Sequence, residues 1–128
     1  MRVISSRTRF RGVPGALAIV LCLVIIMVPA AFAHTHPEQM MPAADSTVSS
    51  PPSVMIHFSE ALEPAFSSIS VTDAGGHIVN KDASKCAADN MSMSVPLPEL
   101  KPGVYTVHWV GVAKDTHRSD GAYKFTVK

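Results

Sequence analysis

The chain has 128 residues, 11 Lys+Arg against 10 Asp+Glu and two cysteines, averages that hide two unlike pieces. Residues 1–33 carry Arg2, Arg7, Arg9 and Arg11, no acidic residue, an apolar run over 17–28 and the exit Ala31-Phe32-Ala33, the order of a cleavable secretory signal peptide. Without it 95 residues remain, with 7 Lys+Arg against 10 Asp+Glu and a formal net charge of −3, which excludes a basic nucleic-acid surface and a two-domain enzyme with its site in a cleft.

The predicted organisation is therefore a signal peptide over 1–33 and a single domain over 34–128. An uncleaved membrane anchor is the alternative for the first piece. The short apolar run and the well-formed Ala-Phe-Ala exit favour cleavage, and no later stretch is long and apolar enough to span a bilayer. Cys22 leaves with the signal, so Cys86 has no intramolecular partner and the fold must hold by its core alone. The polar run 85–89 around Cys86 reads as a loop.

After a lead-in over 34–52 punctuated by Pro and Ser, apolar and polar residues alternate at period 2, the strand signal. Over 53–59, Val54, Ile56 and Phe58 share one face and Met55 and His57 the other. Over 67–72, Ile69 and Val71 point inward. Over 91–97, Met91, Met93, Val95 and Leu97 align. Tyr105, Val107 and Trp109 form the next inward row, and Tyr123, Phe125 and Val127 the last. Turn residues separate these segments: Asp73-Ala74-Gly75-Gly76 supplies positions tolerant of positive φ, and Lys101-Pro102-Gly103-Val104 suits a type II turn. No sustained helical period appears outside the signal peptide. The expected fold is all-β, a small two-sheet sandwich or Greek-key β-barrel.

Six histidines, His34, His36, His57, His77, His108 and His117, all fall after the predicted cut. Cleavage after Ala33 makes His34 the N-terminus, where a free amine and an imidazole can chelate one ion together. Two nitrogen donors suit Cu(II) among common divalent metals. His36, at the third position, offers a competing mode in which amine, amide nitrogens and imidazole wrap a square-planar Cu(II). Further donors come from Asp115-Thr116-His117: in an extended segment residues i and i+2 point the same way, so Asp115 and His117 can face one metal. Amines and imidazoles ordinarily hold their protons near pH ~7.7–8.0 and ~6.5, so metal affinity is expected to fall as pH drops. Thioether sulfur prefers Cu(I). Met91 and Met93 read as core, which leaves Met40, Met41 and Met55, with His57 on the Met55 face, as the soft-metal contacts the sequence offers.

The segments Pro42-Ala43-Ala44-Asp45, His57-Phe58-Ser59-Glu60, Glu63-Pro64-Ala65-Phe66, Val71-Thr72-Asp73-Ala74-Gly75-Gly76, Pro102-Gly103-Val104-Tyr105-Thr106-Val107-His108-Trp109, Asp115-Thr116-His117 and Gly121-Ala122-Tyr123-Lys124-Phe125-Thr126-Val127 together resemble the CopC family of periplasmic copper-resistance proteins. The resemblance covers essentially the whole chain after the cut. It implies a Greek-key β-barrel of cupredoxin or immunoglobulin-like type that binds Cu(II) through the N-terminal amine and imidazole and the D-x-H pair, here His34, Asp115 and His117. It further implies a periplasmic location and, as partner, an inner-membrane copper transporter of the CopD type. Some members hold Cu(I) in a methionine-rich loop; residues 77–90 contain no Met, so no dedicated Cu(I) site is expected here. No enzymatic activity is expected. An electron-transfer cupredoxin would need a Cys followed closely by His and Met, and after Cys86 the next His is His108. The alternatives are a copper-dependent oxidase built on an N-terminal His, for which 95 residues leave little substrate platform, and a metal-free immunoglobulin-like interaction domain. Storage and delivery of copper are equally compatible with the sequence.

Overall fold

The computed structural model describes residues 34–128; the signal-peptide reading of residues 1–33 lies outside the described residues. Eight strands follow one another: β1 (Pro37–Met41), β2 (Thr47–Val48), β3 (Ser53–Phe58), β4 (Ser68–Thr72), β5 (Lys85–Cys86), β6 (Ser92–Pro96), β7 (Gly103–Val112) and β8 (Arg118–Val127). They form two four-stranded sheets, ordered β1-β3-β6-β5 and β2-β8-β7-β4, the all-β two-sheet architecture expected from the alternation.

The inward rows make the core because a strand sends alternate side chains to opposite faces. Val54, Ile56 and Phe58 of β3 are fully buried, as are Val71 of β4, Val95 of β6 and Val107 of β7. Phe125 and Val127 close the row from β8. Two aromatic pairs tie the strands together: Phe58 meets Trp109 edge to face at 5.6 Å, and Tyr105 stacks on Phe125 at 5.7 Å. Such pairs add roughly 0.5–1.5 kcal/mol beyond their burial. Among the described residues Cys86 is a free thiol.

Several local expectations are corrected. The lead-in 34–52 contains two strands, β1 and β2, where only punctuation was expected. β1 lacks alternation because its register slips between Pro37 and Gln39, and an extra residue in one strand breaks the period. The 85–89 loop begins with the two-residue edge strand β5, in which Cys86 pairs with Met93, leaving Cys86 half-buried against the core; that burial pushes its thiol pKa up. Met91 is only half-buried and precedes β6, so Met93 alone of that pair is core. Gly103 opens β7 at φ 158°, more extended than a type II turn needs, whereas Gly76 does take a positive φ of 81°.

β7 and β8 form the longest element, a hairpin paired in continuous register from Gly103↔Val127 to Val112↔Arg118. Its tip is the segment 113–117. The isolated bridge Leu62↔Ala113 and the bond from Glu63 N to Val112 O (2.7 Å) pin the tip to the chain that follows β3.

Candidate metal centre

Asp115 and His117 occupy the tip of the β7–β8 hairpin, and the tip is a tight turn rather than the extended segment expected. Thr116 N donates to Ala113 O at 2.9 Å and Ala113 N to His117 O at 3.0 Å, with Thr116 left-handed at φ 74°. A β-branched residue there is a genuine outlier. The turn still brings the two candidate ligands together, by hydrogen bonding instead of pleat. His117 N donates to Asp115 Oδ1 at 3.1 Å, and His117 Nδ1 lies 2.9 Å from Asp115 Oδ2.

Both side chains remain open to solvent, 63% for Asp115 and 61% for His117. The His117 amide, and then its ring, hold the Asp115 carboxyl below the ordinary carboxylate range, so it is an anion at neutral pH. Each carboxylate oxygen keeps spare lone-pair capacity, and the Nδ1 contact directs His117 Nε2 outward. A carboxylate that fixes one imidazole nitrogen and leaves the other free is the arrangement in which histidine serves metals. The donor set therefore fits a borderline divalent ion.

The N-terminal arm, residues 34–36, is tied beside this tip. Ser119 Oγ, two residues after His117, donates to Thr35 O at 2.5 Å, and Thr35 Oγ1 donates to Glu60 Oε2 at 3.1 Å. His36 N donates to Ser59 Oγ at 3.1 Å, and Ser59 N donates back to His36 O at 3.0 Å. Thr35 is buried at 3% exposure while His34 and His36 on either side are exposed. Glu60 and Asp115 line one shallow depression of about 260 Å³ together with Ala61, Ala113 and Lys114.

His34 is thus presented next to an anchored residue, but it does not yet join the pair: among the described residues no three His, Cys, Asp or Glu side chains stand grouped to hold a metal. In the uncut chain the nitrogen of His34 is an amide, so the amine donor exists only after cleavage at Ala33. His36 turns its Nδ1 to His34 O at 2.9 Å, a contact within the arm. Thr35 and Ser119 were not singled out from sequence, and Ser59 and Glu60 stood there only within a shared segment, with no role in the site. Their partners lie 23 to 84 residues away, and only strand register reveals such pairings.

The soft donors lie on the other sheet. Met41 is directly opposite Met55, and Met40 is opposite Ile56; Met40 packs against the core, while Met41 and Met55 are exposed. His57 places Nδ1 2.8 Å from Ser92 Oγ and Nε2 3.9 Å from Glu38 Oε2. His108 bonds Thr72 on the outer face of β7, and His77 pairs with Asp73 in an exposed turn, as expected for solvated residues.

Comparison with known proteins identifies the family. The family model for the CopC domain matches residues 37–128. The chain is 34% identical over 114 residues to Protein YobA of Escherichia coli K12, covering 87% of this chain and 92% of that protein. It is 39% identical over 106 residues to Copper resistance protein C of Escherichia coli, covering 77% and 84%. The crystal structure of CopC from Methylosinus trichosporium OB3b superposes with a TM-score of 0.69 at 35% identity, covering 74% of this chain and 94% of that one.

Proposed function

This chain belongs to the CopC family, and from that membership and its hairpin tip we propose that it is a copper-binding protein of copper resistance and homeostasis. The observation that carries the reading is the pairing of Asp115 with His117 at 2.9 Å beside an arm anchored through Thr35. Cu(II) is the preferred ion, taken by the amine and imidazole of His34 with Asp115 and His117, because nitrogen and carboxylate donors favour it over Cu(I). His36 competes for the same amine as a lesser mode. Residues 1–33 act as an export signal, which places the protein in the periplasm and generates the amine. The protein acts by holding copper and passing it on, without catalysis, and an inner-membrane transporter of the CopD type is the partner proposed. Among the described residues no helix is long and apolar enough to cross a membrane.

The test is mass spectrometry of the exported protein for its N-terminus, with Cu(II) titration of that form and of one blocked by a single extra N-terminal residue. A mature chain starting at His34 that binds one Cu(II) tightly, and loses most affinity when blocked, supports the reading. Equal binding by both forms removes His34 from the site.

A further inference from the structure

The arm offers Cu(II) two incompatible grips on the amine that cleavage creates, and the fold treats them unequally. In the wrapped grip the amine, the Thr35 and His36 amide nitrogens and His36 Nδ1 surround the ion in one plane. An amide nitrogen joins that plane only by surrendering its proton, and with it whatever hydrogen bond the N–H makes. The grip that uses the hairpin tip needs neither amide.

The peptide unit joining Thr35 to His36 is held at both ends. Its carbonyl accepts from Ser119 Oγ at 2.5 Å and its N–H donates to Ser59 Oγ at 3.1 Å. The two serines come from different sheets: Ser119 lies in β8, and Ser59 directly follows β3. Pro37 stands opposite Phe58, so His36 and Ser59 form the next pair of that ladder. Ser59 N donates to His36 O at 3.0 Å, and in the return bond the Ser59 hydroxyl takes the place of the backbone carbonyl that a regular antiparallel pair would use. A peptide unit is planar, so turning its nitrogen toward an ion breaks the bonds at both ends and pulls on Thr35, which is only 3% exposed. The His36 ring is set against the wrap as well. Its Nδ1 lies 2.9 Å from His34 O, and a trans peptide points its carbonyl away from its own N–H, which puts Nδ1 on the side opposite the Thr35 amide proton.

We propose that Ser59 is a positioning residue that selects the copper coordination mode: by holding the His36 amide, on the peptide unit whose other end Ser119 holds, it denies Cu(II) the wrapped four-nitrogen chelate and keeps the terminal amine for a site shared with Asp115 and His117. This rests on the copper reading above and goes beyond it by assigning the choice between the two grips to a hydroxyl that does not touch the metal. Removing one ordinary hydrogen bond changes a two-state ratio by roughly fivefold, which sets the size of the effect expected from losing the Ser59 hydroxyl.

The test uses the mature chain beginning at His34 and its Ser59→Ala, Ser59→Thr and Ser59→Ala/His36→Gln variants, each given one equivalent of Cu(II) and read by visible absorption and electron paramagnetic resonance. A peptide of residues 34–41, which contains neither serine, supplies the reference spectrum of four in-plane nitrogens. Wild type should show the mixed nitrogen and carboxylate-oxygen spectrum. Ser59→Ala should raise the ratio of the four-nitrogen form to the mixed form about fivefold, Ser59→Thr should restore the wild-type spectrum, and adding His36→Gln should abolish the gain. In the metal-free protein, Ser59→Ala should speed hydrogen exchange at the His36 amide, with circular dichroism showing that the fold is intact. The four-nitrogen spectrum in wild type, or an unchanged Cu(II) spectrum in Ser59→Ala despite faster His36 exchange, overturns the inference and leaves the copper reading standing. A mature chain that binds Cu(II) no better than one blocked by an extra N-terminal residue overturns both.

Discussion

The anchor of the N-terminal arm can be tested through one hydroxyl. Ser119→Ala removes the donor to Thr35 O and strands that carbonyl in a residue only 3% exposed. An unsatisfied buried polar group costs about 1–3 kcal/mol. The arm keeps three other ties: Thr35 Oγ1 to Glu60, and the two bonds between His36 and Ser59. It therefore loosens locally rather than detaching, and the expected cost is near the lower limit, about 1 kcal/mol. If that energy positions His34 beside Asp115 and His117, the loss appears in metal binding as well as in stability. A cost of 1.4 kcal/mol is a tenfold change, so Cu(II) affinity of the mature chain should fall roughly fivefold. The assay is competition titration of wild type, Ser119→Ala and Ser119→Thr, each also measured by thermal unfolding. Ser119→Thr retains the hydroxyl and should recover most of the affinity. A lowered Tm with unchanged Cu(II) affinity in Ser119→Ala would show that the bond serves the fold alone and refute the positioning argument.

How far the sequence reaches is set by the range of the interactions. β3, β4, β7 and β8 were legible because one face of each is buried and the other wet, as in Val54, Ile56 and Phe58 against Met55 and His57. β1 was not, because its Glu38-Gln39-Met40-Met41 run has no period of its own and takes strand form from pairing with β3 across a register slip. β2 and β5 are two residues each, too short to carry a pattern. In the site, the Asp115–His117 pair was legible as residues but for a different geometric reason: pleat predicts a shared face, whereas the structure makes the pair through a left-handed Thr116 and two hydrogen bonds. The arm's anchors were illegible, since nothing local in Ser119 marks it as the partner of a carbonyl 84 residues earlier. Chemistry of the donors is thus readable from composition and position, while their assembly depends on register.

Five further variants probe the frame around these donors. The Tyr123 hydroxyl is buried without a partner and burial pushes its pKa up to about 12 from 10.0, so the folded state keeps a proton that the unfolded chain releases. Its contribution is complete below pH 10.0 and lost as pH rises toward 12; Tyr123→Phe should flatten that alkaline loss and keep or raise Tm at neutral pH. At the acid end, the His77 amide holds Asp73 low and the His117 amide holds Asp115 low, so their stabilisation is present above about pH 3.8 and lost as pH falls through the folded values. Thermal melts of Asp73→Asn and Asp115→Asn should each show a shallower acid decline than wild type. Thr116→Gly relieves the left-handed strain at φ 74° and should stabilise by about 1 kcal/mol, with Cu(II) affinity retained if the Asp115–His117 contact survives. Gly121→Ala tests the hairpin itself. Gly121 lies opposite Trp109, and a Cβ there would stand 2.8 Å from Trp109 Cζ2 and 2.9 Å from Cε2. A rigid indole cannot give at one atom, so the ring must move as a body and disturb its edge contact with Phe58. Overpacking costs about 1–3 kcal/mol, offset by about 0.4–1 kcal/mol from the stiffer unfolded chain; the net loss should be roughly 1–2 kcal/mol, several degrees of Tm in a domain this size. Trp109 is the one tryptophan in the chain, so fluorescence reports its displacement directly. An unchanged spectrum and Tm would mean that the indole does not lie over Gly121, and that the middle of the hairpin carrying the metal pair is packed differently.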